Sequence, residues 1–128
     1  MNAQAIFYLA AADETLADAR SILTVGVTRQ AARLAYYAQF HAAQALIHER
    51  TGKVAKTHKG VNVQFHKLAK AEPSIAPQLA AALSAAYHYK EIADYETGAA
   101  AVPSDEAGDA IATAEHFIAE IKRVLSLP

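Results

Sequence analysis

Between Arg33 and Leu46 the chain reads RLAYYAQFHAAQAL, and its apolar and polar positions separate into two lines at helical spacing. Taking about 100° per residue, Tyr36, Phe40, Ala43 and Ile47 make an apolar line at spacings of 4, 3 and 4. Beside it Arg33, Tyr37, His41, Gln44 and His48 follow at 4, 4, 3 and 4, a stripe of hydrogen-bonding groups. Ala35, Ala38, Ala42 and Ala45 fill much of the remaining surface, so neighbouring helices can approach on more than one side. This is the pattern of an inner helix carrying a polar seam, and it predicts a helix from about Thr28, a suitable N-cap, to Thr51, with Gly52 beyond its end.

The same periodicity predicts four more helices. Residues 3 to 24 form the first, with Ile6, Leu9, Leu16 and Leu23 as its apolar repeat, ended by Gly26. After the basic loop KVAKTHKG, a short helix over 61 to 71 sets Val61, Phe65 and Leu68 inward and stops at Pro73. The fourth opens at Ser74, tolerates Pro77 in its first turn and runs to about Glu96. Ser104 caps the fifth, where Ile111, Ala114, Ile118, Ile121 and Leu125 repeat at 3, 4, 3 and 4, a seam for the bundle interior or for a second copy. The fold class is therefore all-α: an up-and-down bundle of four long helices and one short one, with residues 1–128 as a single domain by length.

Composition narrows the function classes. With no cysteine there are no disulfides, thiolate zinc sites or cysteine nucleophiles, which together with an acidic rather than basic start suggests a cytoplasmic protein. The longest uncharged run, Ser74 to Tyr89, holds a proline and several polar residues and is a poor membrane span. Lys and Arg number 12 against 13 Asp and Glu, which argues against gripping duplex DNA by charge alone. The charge is unevenly distributed, however: Lys53 to Lys70 carries five Lys and two His with no acid. Lys56, His58 and Lys59 are candidate phosphate or RNA contacts within it, or else ordinary solvated side chains. No His-x-x-x-His or Glu-x-x-His places two ligands on one helix face, and no Gly-rich phosphate loop occurs, so neither metal nor cofactor is expected.

The sharpest anomaly is on the fourth helix, where Leu79, Leu83, Tyr87, Lys90 and Asp94 lie at 4, 4, 3 and 4. An apolar line thus finishes in a cation and an anion one turn apart. Either the helix end protrudes, with Lys90 snorkelling beside a surface ion pair, or Lys90, Asp94 and Tyr95 line a cleft. Should the polar seam of the second helix face them, Arg33, Tyr37 and His41 would join the same site; the alternative for Tyr37 and His41 is a packed structural role.

YYAQFHAAQAL, the His-Lys-Gly at 58 to 60, Phe65 and KEIADY at 90 to 95, in this order, resemble the HEPN superfamily, in particular small prokaryotic members with an early Tyr-Tyr-Ala and a late Asp-Tyr. The resemblance covers roughly residues 30 to 122. It implies a homodimer acting on RNA or nucleotides, with Lys90, Asp94 and Tyr95 of two chains at a shared groove, and a nucleotidyltransferase partner in a toxin–antitoxin-like pair. HEPN ribonucleases carry an Arg followed four to six residues later by a His and cleave RNA without a metal. That motif is absent here, and in the Arg-x-x-x-Asp-Tyr segment of the similar branch the Arg is replaced by Lys90, which keeps the charge without the bidentate fork. A catalytically silent binding module is the alternative the departure favours.

Overall fold

A computed structural model describes residues 1–95 and 102–126, with the side chain of Tyr95 outside the described set. Five helices follow in order: α1 (Ala3–Thr24), α2 (Thr28–Thr51), α3 (His58–Ala71), α4 (Pro77–Tyr95) and α5 (Ser104–Leu125). The architecture is the all-α bundle anticipated from periodicity.

Helix α2 is the hub, packing against all four others. Its alanines explain this: Ala31, Ala32, Ala35, Ala38, Ala42, Ala43 and Ala45 are all buried, and with only a methyl group each they let backbones approach on several sides. The apolar line at Tyr36, Ala43 and Ile47 is buried as expected, while Phe40 is only partly covered because it opens onto a cleft.

Helix α1 corrects the expectation. Its buried line is Ala5, Leu9, Ala12, Leu16 and Ala19, an alternating 4, 3, 4, 3 seam in which alanines take the tight positions, and Ile6 stands 55 % exposed. Size complementarity against the alanine face of α2 outweighs hydrophobicity in choosing which face turns in. The start of α1 is tied to the end of α2: Asn2 accepts from the Ala5 amide at 2.8 Å and donates its own amide to Glu49 at 2.7 Å.

The seam of α5 belongs to the bundle interior, with Ile111, Ala114, Ile118 and Ile121 all buried. Phe117, one residue off that line, is fully buried against Phe65 of α3, ring centroids 5.4 Å apart. Two caps and two helix starts differ from expectation. Val27 and Pro103, rather than Thr28 and Ser104, occupy the N-cap positions of α2 and α5. Ser74 does not open α4; its carbonyl accepts from Arg123 at 2.8 Å, and Pro77 is the first helical residue, where its missing amide costs nothing.

The third helix begins three residues earlier than the periodicity suggests, and this matters for the site. Thr57 is the N-cap, its hydroxyl accepting from the Gly60 amide at 2.9 Å. A Cβ on Gly60 would meet the Cβ of Ala55 at 2.7 Å, so glycine is what allows the preceding segment to fold back onto this turn. Gln64 fixes that segment by accepting from the Ala55 amide at 2.8 Å and donating to the Lys53 carbonyl at 3.1 Å. His58 and Lys59 thereby leave the loop and join a helical turn held against α2 and α4. Among the described residues no helix is long and apolar enough to cross a membrane.

Candidate functional site

The ion pair on α4 is part of a larger cluster. Lys90 Nζ lies 2.8 Å from Asp94 Oδ2, and the other carboxylate oxygen accepts from Arg33 Nε at 2.9 Å, across from α2. One carboxylate is thus clamped between two cations from different helices. Lys90 does not snorkel into solvent: it is 9 % exposed, with its ammonium 5.7 Å from the centre of the Tyr87 ring. Arg33 lies over Tyr37 in the same way, at 4.9 Å. The hydrogen bond from Lys90, aided by Arg33 and opposed by desolvation, holds the Asp94 carboxyl below the usual carboxylate range.

Beside this cluster stands His58, which the sequence reading placed in a basic loop. Its ring stacks on Phe40 with centroids 4.4 Å apart and planes 27° from parallel, and Nδ1 lies 2.6 Å from the Tyr36 hydroxyl. Tyr37 and Tyr87 meet the same ring at 5.6 and 5.8 Å. Burial, then Lys90, lowers the His58 pKa from its ordinary value, Asp94 works in the opposite direction, and Arg33 and His41 lower it further. Burial also raises the Tyr36 pKa well above the phenolic norm, with Tyr37 and Tyr87 contributing, so that phenol keeps its proton. The pair at neutral pH is therefore a protonated phenol and a neutral imidazole.

A cleft of about 290 Å³ opens next to this pair. Buried Tyr36 and Leu83 form its base, Phe40, His58 and Tyr87 give it aromatic walls, and Lys59, Asn62 and Ser84 stand at its rim. Its volume is at the low end of the roughly 300–1,000 Å³ of small-molecule sites, suited to one flat heterocycle.

A family model of the HEPN domain matches residues 5–124. The chain belongs to the HEPN domain family. No curated protein matches this chain.

Within the HEPN fold, the structure brings Arg33, Tyr37, Lys90 and Asp94 together and adds His58, with Lys59 at the cleft rim. His41 lies at the edge of the group, half-buried, its Nδ1 2.9 Å from Gln44 Oε1 one turn along the same helix. Lys56 is exposed and is not part of the cleft lining. The side chain of Tyr95 lies outside the described residues. Tyr36, Phe40, Tyr87, Asn62 and Ser84 were missed as site residues. His58, a candidate phosphate or RNA contact in the basic run, is instead set against the aromatic cluster, and the signal for that placement is the Thr57-x-x-Gly60 start of α3, which makes His58 helical. Among the described residues no three His, Cys, Asp or Glu side chains are grouped to hold a metal.

Proton titration checks this electrostatic picture. A lowered folded-state pKa means that the neutral His58 ring favours folding fully above its unfolded value of about 6.5, and that this contribution is lost as pH falls through the folded value. An NMR titration is expected to place the His58 midpoint below 6.5; Lys90→Ala moves it up and Asp94→Ala moves it further down. A midpoint insensitive to both substitutions would mean that the ring does not sense the ionic cluster.

Proposed function

We propose that this HEPN protein binds single-stranded RNA or nucleotides in the His58 cleft, and that it does so without cutting the chain. The observation that carries the reading is the position of His58: a neutral, phenol-bonded imidazole in the aromatic wall of a cleft, whose ring senses the charges of Lys90, Asp94 and Arg33 beside it. Aromatic faces accept any base by stacking, and neighbouring cations take the phosphates. Lys59 at the rim is the nearest candidate for a phosphate, with Lys90 and Arg33 behind Tyr87 and Tyr37.

Three features favour binding over cleavage. Asp94 is held ionised and has no proton to donate to a leaving group. Arg33 and Lys90 already share one carboxylate rather than offering an open phosphate fork. The His58 Nδ1 is engaged by the Tyr36 hydroxyl at 2.6 Å, and in the tautomer in which Tyr36 donates, Nε2 carries the proton and presents a hydrogen-bond donor to a ligand, not a base to a 2′-hydroxyl. The homodimer and the nucleotidyltransferase partner, in a toxin–antitoxin-like pair, belong to the same proposal and rest on the resemblance in YYAQFHAAQAL and KEIADY.

The test is fluorescence anisotropy with a labelled single-stranded RNA in a chelating buffer, followed by electrophoresis of the RNA. Binding is expected, with Lys59→Ala weakening it several-fold and the RNA recovered intact. Shortened RNA would replace the silent reading with a metal-independent nuclease. Binding unaffected by Lys59→Ala and by Phe40→Ala would place the RNA elsewhere. Sedimentation of the purified protein, and capture of a nucleotidyltransferase on it, examine the dimer and the partner.

A further inference from the structure

The rim of the cleft carries a hydrogen-bond chain that the binding reading does not use. Asn62 lies one turn beyond His58 on α3, and Ser84 faces it from α4. Ser84 Oγ donates to Asn62 Oδ1 at 3.1 Å, and His66 Nε2 lies 2.9 Å from the same Oγ. A serine hydroxyl has a single proton. Given to Asn62, it leaves Oγ as an acceptor only, so His66 must donate from Nε2. The chain therefore runs in one direction, from His66 through Ser84 to the carboxamide oxygen of Asn62. An amide whose oxygen is turned toward Ser84 offers its NH₂ group to the rest of its surroundings, and Asn62 lines the cleft.

We propose that this chain makes Asn62 a base-specificity residue, presenting a donor to the cleft so that guanine is taken in preference to adenine. The inference rests on the nucleotide-binding reading. A freely rotating asparagine recognises adenine with both ends of its amide, the oxygen accepting from N6 and the nitrogen donating to N7. Here the oxygen is committed to Ser84, and the adenine amino group would meet another amino group. Guanine presents O6 and N7, two adjacent acceptors, to the same NH₂. A donor facing a donor in a partly enclosed site leaves polar groups unpaired, and selectivity of this kind rests on that cost.

The experiment uses guanosine and adenosine monophosphates as probes, with affinity read by calorimetry and by shifts of the His58 ring protons. Guanosine monophosphate is expected to bind at least tenfold more tightly. Ser84→Ala, at an exposed position, frees the amide to turn over; the preference is expected to fall to near twofold or less, mainly because the adenine nucleotide gains. Asn62→Asp replaces the donor with acceptors and is expected to invert the ratio, whatever its charge does to the affinity of both. Lys59→Ala weakens both nucleotides alike and leaves the ratio unchanged. Equal binding of the two nucleotides by the unaltered protein, or a ratio unmoved by Ser84→Ala, overturns the specificity role while leaving the cleft as a nucleotide site. Absence of binding by either nucleotide overturns the site itself and the specificity with it. Circular dichroism and a melting curve for each variant confirm that a changed ratio reports recognition and not loss of fold.

Discussion

Asp94→Asn is expected to tighten single-stranded RNA binding roughly tenfold at low salt, about 1.4 kcal/mol, and to steepen its salt dependence. Asp94 neutralises part of a patch in which Lys90 and Arg33 are the cations, both within 3 Å of its oxygens. Asparagine keeps the shape and can still accept a hydrogen bond, but two cations facing one anion become two facing none. Each phosphate newly engaged adds about 0.7 to the slope of log affinity against log salt for a single strand, so full release of both adds about 1.4. The same substitution is expected to lower stability, by only about 1 kcal/mol, because 25 % of the Asp94 side chain remains exposed and solvent screens the cluster. It also removes an acid-side dependence. The depressed Asp94 pKa favours folding above the unfolded value of about 3.9 and loses that contribution as pH falls through the folded value. Anisotropy titrations at several salt concentrations and urea unfolding at pH 7 and pH 3 measure both effects. An unchanged affinity and slope would show that Arg33 and Lys90 do not face the RNA.

Phe117→Ala is expected to lower the unfolding free energy by about 3–5 kcal/mol, a large share of the roughly 5–15 kcal/mol typical of a domain. Phe117 is fully buried in α5, and its ring meets Phe65, equally buried, across the α3–α5 interface. The surrounding interior contains many alanines, whose methyl groups have no rotamers with which to fill a vacated ring, so the cavity stays open. Exposed Phe7, 64 % accessible on α1, is the control of the same chemistry, and Phe7→Ala is expected to change stability by less than about 0.5 kcal/mol. Urea unfolding followed by circular dichroism gives both numbers. A loss below about 1 kcal/mol at Phe117 would contradict its place in the core.

The sequence carried the helices well and the choice of inward face less well. Leu79, Leu83 and Phe65 were legible because long apolar residues at helical spacing have no better place than the interior. On α1 the same logic picked Ile6, and the structure turned it outward in favour of Ala5 and Ala12. Hydrophobicity ranks single residues, but a helix packed against an alanine-rich partner is positioned by how closely two backbones can approach, and that depends on both helices together.

At the site, Lys90 with Asp94 was legible because charges at the end of an apolar line demand partners, whereas Arg33 was legible only as the head of a polar seam on another helix. His58 was legible only as a basic residue near other basic residues. Its place on Phe40 and Tyr36 follows from where α3 starts, which in turn follows from the Thr57 cap, the absence of a side chain on Gly60 and the grip of Gln64 on the preceding segment.

By itself the sequence determined an all-helical bundle with α2 at its centre, the HEPN resemblance, and a late cation–anion pair out of keeping with the apolar line it ends. Those properties are local: they arise from periodicity along one helix and from residue types at fixed spacing. Only the tertiary structure decided that the pair is a three-member cluster with Arg33, that a neutral His58 stands beside it, and that Asn62 is oriented from α4. Each of these depends on side chains from different helices meeting at hydrogen-bond distance, and helical periodicity sets the direction of a side chain without setting what it meets.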